Sequence, residues 1–246
     1  MKNHFETGGS DYSKYRPNYP NELIKQLSSL VNKPSTALDI GCGTGQLTAL
    51  LADHFETVIG VDSSENQLVN AEFKPNITYT LGSAENIPTE SNSADLIVAA
   101  QAAHWFDLSA FYEEVRRVAK PSAIIALIGY GLPTLTGIPN AMFQKAYWLD
   151  LRQYWPPERQ LIELGYSTLD FPFHTIEMDE LTNEKRVTLD ELIGYIGTWS
   201  ATKRKLEEDA HYLTRLHEAL RAVWGNEEKQ RALQWPIFAK VAKVKG

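Results

Sequence analysis

Three glycines crowd into Gly41-Cys42-Gly43-Thr44-Gly45, between the apolar run Ala37-Leu38-Asp39-Ile40 and a segment of helical character that opens at Gln46. Glycine removes the Cβ atoms that would keep a ligand or a neighbouring segment away from such a turn. Few architectures place a glycine turn between a strand and a helix, and the rest of the chain narrows the choice. Runs rich in β-branched residues recur at Val58-Ile59-Gly60-Val61, Ile77-Thr78-Tyr79, Leu96-Ile97-Val98-Ala99 and Ile124-Ile125-Ala126-Leu127-Ile128, with segments of helical period between most of them. That alternation is the signature of parallel βαβ units, so the expected fold class is α/β, a Rossmann-like doubly wound sheet. The clearest helix runs from Leu108 to Ala119, with Leu108, Phe111, Tyr112, Val115 and Val118 on one face, Asp107 as N-cap and Lys120-Pro121 as its end.

After Tyr130 the pattern changes. Gly131 to about Asp170 is a proline-punctuated stretch with a helix-like face of Phe143, Tyr147, Leu151 and Tyr154, and it reads as an inserted helical cap. A strand at Phe173 to Met178, a short helix near Leu189 to Ile196 and a longer helix through Leu206, Ala210, Leu213, Leu216, Leu220 and Val223 follow, with Gly225 as C-cap. Leu233, Trp235, Ile237, Ala239 and Val241 alternate along a closing strand in which Pro236 marks an edge or a bulge. If this strand and 173–178 form a C-terminal antiparallel hairpin, the mostly parallel sheet has seven strands. The organisation expected is one domain over 1–246, with a core at about 34–130 and 171–246, the cap at about 131–170 and an N-terminal arm at about 1–20.

Bulk charge excludes one class of partner. Lys plus Arg number 24 against 31 Asp plus Glu, a net charge of −7, so nothing general draws the chain to nucleic acid or anionic lipid. The apolar stretches around 96–103 and 123–130 are far shorter than the roughly 20 residues of a membrane helix. The first residues carry no apolar h-region, and the single Cys42 cannot pair within the chain, so the expected location is cytoplasmic.

The glycine turn also limits its ligand. Counted from Gly41, a dinucleotide fingerprint would put its third glycine at position 46, which is Gln46. No Lys or Arg lies between Asp39 and Gln46, and the lysine-hydroxyl ending of a Walker loop is missing, so phosphate is not the obvious cargo. Asp62 closes the second strand where an acidic side chain can accept both hydroxyl protons of a ribose. Gly82-Ser83-Ala84-Glu85, after the third strand, can line an adenine. Three strand ends thus converge on one nucleoside-like ligand at the carboxyl edge of the sheet.

With these residues in place, the sequence resembles the class I S-adenosylmethionine-dependent methyltransferases of the type 11 kind. Asp39-Ile40-Gly41-Cys42-Gly43-Thr44-Gly45 matches the first motif of that family, Val61-Asp62 its second-strand acidic residue, and Ser83-Ala84-Glu85 with Ile87-Pro88 its adenine-side loop. The match spans roughly Thr36 to Ala126. Tyr12-Ser13-Lys14-Tyr15-Arg16-Pro17-Asn18-Tyr19-Pro20, Ala100-Gln101-Ala102-Ala103-His104-Trp105-Phe106 and Gly197-Thr198-Trp199-Ser200-Ala201 resemble the branch that includes trans-aconitate methyltransferases. Lys120-Pro121-Ser122-Ala123 departs from the family, which usually carries two glycines after that proline.

The resemblance implies S-adenosylmethionine as cofactor. Gly41 and Gly43 would approach its methionine part, Asp62 its ribose, and Ala84 and Glu85 its adenine, with Asp39, Gln46, Ser63, Ser83 and Ala100 completing the lining. Tyr15 or Arg16 would cap the methionyl carboxylate from the arm. His104 and Trp105, past the fourth strand, with Trp199 and Ser200 near the hinge glycine Gly197, would contact a small-molecule acceptor, and the branch leans toward a carboxylate. Methyl transfer is an in-line displacement in a water-poor pocket, and a carboxylate acceptor is already ionised, so no catalytic residue is assigned and no metal is called for. His104 reads equally as a hydrogen-bonded pocket wall, and Tyr147, Trp148, Tyr154 and Trp155 read first as core. Two rival functions remain open at this point, a non-catalytic S-adenosylmethionine-binding protein and a nicotinamide-dependent oxidoreductase. Oligomeric state has no sequence signal.

Overall fold

The structure, a computed structural model, describes Tyr15 and residues 17–245. Along the chain come α1 (Asn21–Ser29), β1 (Thr36–Ile40), α2 (Gln46–Leu51), β2 (Thr57–Asp62), α3 (Glu65–Val69), β3 (Ile77–Leu81), β4 (Ala94–Ala100), α4 (Leu108–Val118) and β5 (Ala119–Tyr130). There follow β6 (Thr134–Leu135), α5 (Pro139–Lys145), α6 (Arg159–Glu163), β7 (Thr175–Ile176), β8 (Leu181–Val187), α7 (Leu189–Gly197), α8 (Ser200–Glu208), α9 (Tyr212–Trp224) and β9 (Arg231–Lys243).

Contacts divide the chain into two compact units. The larger comprises residues 18–131, 160–181 and 237 onward; the smaller comprises 132–159 and 182–236 together with Tyr15 and Pro17. This division cuts across the expected cap of 131–170, which is shared between them, and across the expected core segment 171–246. Helical period reports that a segment buries one face, and leaves open which other segment covers it.

In the larger unit the strands run β3-β2-β1-β4-β5-β9. The pairs β2–β3, β1–β2, β1–β4 and β4–β5 are parallel, and β9 lies antiparallel to β5 from Ile124↔Lys243 to Tyr130↔Ile237. β1 is followed by β2 on one side and bordered by β4 on the other, so the strand order reverses there and a crevice opens at the carboxyl ends. Strands covered on both faces must be apolar throughout, which is why β4 and β5 read as continuous runs. Leu38, Ile97, Phe111, Val115, Ile125 and Leu127 are fully buried in this core. α4 contributes Phe111, Tyr112, Val115 and Val118, and Asp107 accepts from the Ser109 and Ala110 amides as the expected N-cap.

The C-terminal strands correct the expected count of seven, since the sheet has nine strands among the described residues. β7 does pair antiparallel with β9, but over Thr175 and Ile176 alone. β6 joins β9 through Thr134↔Gln234 and Leu135↔Leu233 in the smaller unit. Pro236 falls between that register and the one on β5, where its missing N–H costs neither ladder a bond. β8, Leu-Thr-Asn-Glu-Lys-Arg-Val, has no apolar alternation to announce it.

The smaller unit has its own core of rings. Trp199 lies 5.8 Å from Phe143, 5.5 Å from Tyr147, 5.6 Å from Trp155 and 5.3 Å from Tyr195, centroid to centroid. Trp235 donates to the Tyr195 hydroxyl at 3.0 Å. α7 starts at a capping box in which Thr188 and Glu191 satisfy each other's backbone amides. The single long helix expected beyond it is two, because Asp209 leaves the helical region (φ −143°, ψ 80°) and its carboxylate bonds Arg215 of α9.

Candidate functional site

The glycine turn is left-handed at all three positions, with φ of +73° at Gly41, +55° at Gly43 and +79° at Gly45. Two of them are forced by neighbours as well as by backbone. A Cβ on Gly41 would stand 2.6 Å from the Ala102 Cβ, and one on Gly45 would collide with the Tyr79 ring. Gly43 differs, because among the described residues its missing Cβ would meet nothing closer than the Gln67 Oε1 at 3.9 Å. Space therefore remains open beside its backbone. The turn is laced to the end of β2: the Gly41 and Cys42 amides donate to Val61 O at 2.7 and 3.1 Å, and the Gly43 amide donates to Asp62 Oδ2 at 2.8 Å. Asp62 Oδ1 accepts from the Ser64 amide at 2.8 Å. A carboxylate has about four acceptor sites, so Asp62 keeps capacity for two hydroxyl donors. Ser63 beside it is exposed.

Asp39 lies beneath this turn, 1% exposed. Its Oδ2 accepts from Thr48 Oγ1 at 2.6 Å, while its Oδ1 is buried with no partner. Burial pushes its pKa up to about 7; the Thr48 hydroxyl opposes the rise and the Asp62 charge adds to it. The native state thus binds a proton that the unfolded chain has lost, so this group's contribution to stability is complete below pH 3.8 and is lost as pH rises through about 7. The stability of the wild type relative to Asp39→Asn is therefore expected to fall with pH across that window in urea melts; a difference independent of pH would contradict it. Burial, followed by the charges of Asp39 and Asp62, pushes the Cys42 thiol far up, which makes it a packing residue and not a nucleophile.

The third station is the loop after β3. Ala84 and Ile87 are 5% and 2% exposed, and a bridge joins Ser83 to Asn86. Glu85 Oε1 accepts from the Asp107 amide at 3.0 Å, tying the loop to the start of α4. The loop is held further on by a pair that sequence reading missed, Glu114 and Arg117. Glu114 Oε2 accepts from the Ile87 amide at 2.8 Å, and Arg117 grips both Glu114 oxygens at 2.6 Å while donating to Ile87 O and Thr89 O at 2.7 Å. The Arg117 guanidinium holds the Glu114 carboxyl below the usual range. Opposite charges three apart on a helix were the available signal. Arg117→Met leaves the part-buried Glu114 carboxylate with the Ile87 amide in place of a charged partner and takes a donor from the Ile87 and Thr89 carbonyls, so a loss of about 1–3 kcal/mol in stability is expected, read by chemical denaturation. Several-fold weaker binding of an adenine nucleoside should accompany it, and unchanged binding would detach this pair from the site.

At the end of β4, Ala100 is followed by Gln101 at φ +54°, fixed by its amide to Ile128 O at 2.8 Å and its side chain to Tyr130 O at 3.0 Å. A short 3-10 turn, Ala103–Trp105, follows. Ala102 and the Phe106 ring both touch the Gly41 face, so this turn adjoins the glycine turn. His104 Nδ1 is 3.0 Å from the Tyr166 hydroxyl, and its ring lies 4.9 Å from Trp105. Gln46 reaches Asn18 at 3.5 Å. The structure thus brings together Asp39, Gly41, Gly43, Gln46, Asp62, Ser63, Ser83, Ala84, Glu85, Ala100, His104 and Trp105 in the larger unit.

The remaining expected residues belong to the smaller unit or fall outside the described residues. Tyr15 covers Gly194 of α7 in the smaller unit, where a Cβ would stand 2.5 Å from its ring. Arg16 lies outside the described residues, as does most of the arm. Ser200 opens α8 in the smaller unit. Trp199 is 1% exposed inside the ring cluster of the smaller unit, packed on four aromatic neighbours.

These residues fit S-adenosylmethionine. The site presents acceptors, namely Asp62, Glu85 and the unpartnered oxygen of Asp39, suited to ribose hydroxyls, an adenine amino group or an ammonium, and the turn has an open backbone at Gly43. The cluster supplies no cation from Asp39 to Gln46 for a phosphate. Among the described residues no His, Cys, Asp and Glu group could hold a metal ion, and no helix is long and apolar enough to cross a membrane.

Comparison with known proteins agrees. Residues 38–127 match the methyltransferase domain family. A protein named as a methyltransferase in Dictyostelium discoideum is 37% identical over 200 residues, covering 80% of this chain and 76% of the relative. An uncharacterised methyltransferase of Schizosaccharomyces pombe is 29% identical over 238 residues, 89% of this chain and 88% of the relative. The solved structure of a protein described as a type II methyltransferase from Anaeromyxobacter dehalogenans superposes with a TM-score of 0.89 at 39% identity, covering 94% of this chain and 99% of that one. The chain belongs to the class I S-adenosylmethionine-dependent methyltransferases. The oxidoreductase and non-catalytic readings are not favoured.

Proposed function

We propose that this methyltransferase acts on a small molecule bearing a carboxylate, in the manner of the trans-aconitate branch. The observation that carries this reading is the turn holding His104, set against Gly41 at the carboxyl edge where β1 and β4 diverge. S-adenosylmethionine supplies an electrophilic methyl group on sulfur. The residues proposed to hold it are Asp39, Gly41, Gly43, Gln46, Asp62, Ser63, Ser83, Ala84, Glu85 and Ala100, with Tyr15 and Arg16 added from the arm. His104, Trp105 and Ser200 are the proposed acceptor contacts. The chain's work is alignment and exclusion of water, because an ionised carboxylate attacks without losing a proton to the protein.

A net charge of −7 supports a small acceptor over a nucleic acid, and the single, half-buried free thiol suits the cytoplasm. That the two units work as one catalytic domain belongs to the same proposal. The test is a panel of acceptors incubated with S-adenosylmethionine and scored by release of S-adenosylhomocysteine. Turnover confined to di- and tricarboxylic acids is expected. Turnover of amines or alcohols with none of any carboxylate would overturn the acceptor class and leave the family intact.

A further inference from the structure

His104 is held by a residue that no motif marks. Tyr166 is fully buried, and it follows Gly165 at the end of α6 in a double left-handed turn, φ +58° and +59°. A bulky aromatic side chain avoids that backbone region, so other contacts must hold it there. They do: the Tyr166 amide donates to Leu161 O at 2.8 Å, the Leu169 amide donates to Tyr166 O at 3.0 Å, and the ring stands edge-on to Phe238 at 5.1 Å. This arrangement brings the hydroxyl to 3.0 Å from His104 Nδ1.

We propose that Tyr166 is a positioning residue which donates its hydroxyl proton to Nδ1, fixes His104 as the Nε2–H tautomer, and thereby makes it a hydrogen-bond donor to an anionic acceptor oxygen. The direction of the bond follows from acidity and basicity. A phenol loses its proton near pH 10 and a neutral imidazole N–H does so far less readily, whereas the bare imidazole nitrogen is a much stronger base than a phenolic oxygen. O–H donating to N is therefore the favoured arrangement of the pair. The proton then sits on Nε2, and an imidazole in that state orients a carboxylate but cannot remove a proton through Nε2. A base role would need the opposite tautomer. This deepens the carboxylate reading and rests on it for what His104 meets; the tautomer itself does not depend on any acceptor.

The test is nitrogen-15 spectroscopy of histidine side chains in the whole protein, above the pH of imidazole protonation, with His104 assigned by its loss in His104→Gln. The expected spectrum places Nδ1 at the unprotonated extreme and Nε2 at the protonated one. In Tyr166→Phe both resonances should move toward the averaged values of an exchanging ring, while S-adenosylhomocysteine affinity stays within about twofold. An Nδ1–H tautomer, or a spectrum indifferent to Tyr166→Phe, would overturn the proposal. If that variant fails to fold, biosynthetic replacement of tyrosine by fluorotyrosine keeps the packing and makes the phenol more acidic. The His104 Nδ1 resonance should then shift in the sense of a stronger donor, and a shift the other way would overturn the assignment. With an acceptor identified, His104→Gln, which keeps an N–H donor and cannot act as a base, should retain more carboxylate methylation than His104→Ala. Equal losses would count against a donor role. Absent S-adenosylhomocysteine binding with the predicted tautomer present would refute the methyl-transfer reading and leave the pairing established.

Discussion

Asp62→Ala is expected to weaken S-adenosylhomocysteine binding roughly tenfold to a hundredfold, about 1.5–3 kcal/mol, the usual cost of removing a charged hydrogen-bond partner. The effect has two sources. The carboxylate is the proposed acceptor for the ribose hydroxyls, and it also fixes the turn by accepting from the Gly43 and Ser64 amides at 2.8 Å each. Alanine removes both at once. Asp62→Asn retains one acceptor oxygen but can turn an amino group toward an amide donor, so an intermediate loss is expected from it. Asp62 is half-buried near the rim of the sheet, and thermal stability without ligand should fall by much less than affinity does. Titration calorimetry reads the difference; affinity within twofold of wild type would remove Asp62 from the ribose assignment.

Trp199→Ala is expected to have the largest effect on stability, about 3–5 kcal/mol, the range for deleting a buried aromatic ring. Trp199 touches Phe143, Tyr147, Trp155 and Tyr195, so its loss opens a cavity bounded by four other rings that cannot all collapse into it. For a chain of ordinary marginal stability, about 5–15 kcal/mol, that is a fifth or more of the total. Trp199→Phe should fall between the two, and its urea midpoint keeps the comparison measurable if alanine unfolds the protein. The placement of Trp199 in the core makes a second demand: folded variant should bind S-adenosylhomocysteine as wild type does. A variant of native stability that had lost only activity would place Trp199 among the acceptor contacts and contradict a purely structural role.

The parts legible in the sequence were those that sequence-local physics determines. β1, β4 and the stretch 123–130 of β5 are buried on both faces, and burial on both faces writes a continuous apolar run. The glycine turn could be read because a left-handed backbone and a tight approach to Ala102 and Tyr79 leave almost no other residue type. Asp107 could be read as a cap from its place before an amphipathic segment. What escaped depends on partners distant in the chain. β8 carries Asn183, Glu184, Lys185 and Arg186 and owes its existence to β9, so no pattern of its own records it. The interruption between α8 and α9 comes from Asp209 bonding Arg215, a local competition that an unbroken apolar stripe conceals. Tyr166 is 62 residues from His104 and sits on a backbone that statistics disfavour for tyrosine, so neither position nor propensity pointed to it. The packing of Trp199 escaped for the same reason, because three of the four rings around it come from residues 143–155.

The central claim is that the glycine turn, Asp62 and the loop at Ser83–Glu85 together hold S-adenosylmethionine. Isothermal titration of S-adenosylhomocysteine, with NADH titrated into the same preparation, tests it directly. Saturable binding of S-adenosylhomocysteine alone, with one site per chain, is expected. Binding of NADH alone, or of neither ligand by a folded sample, would contradict it.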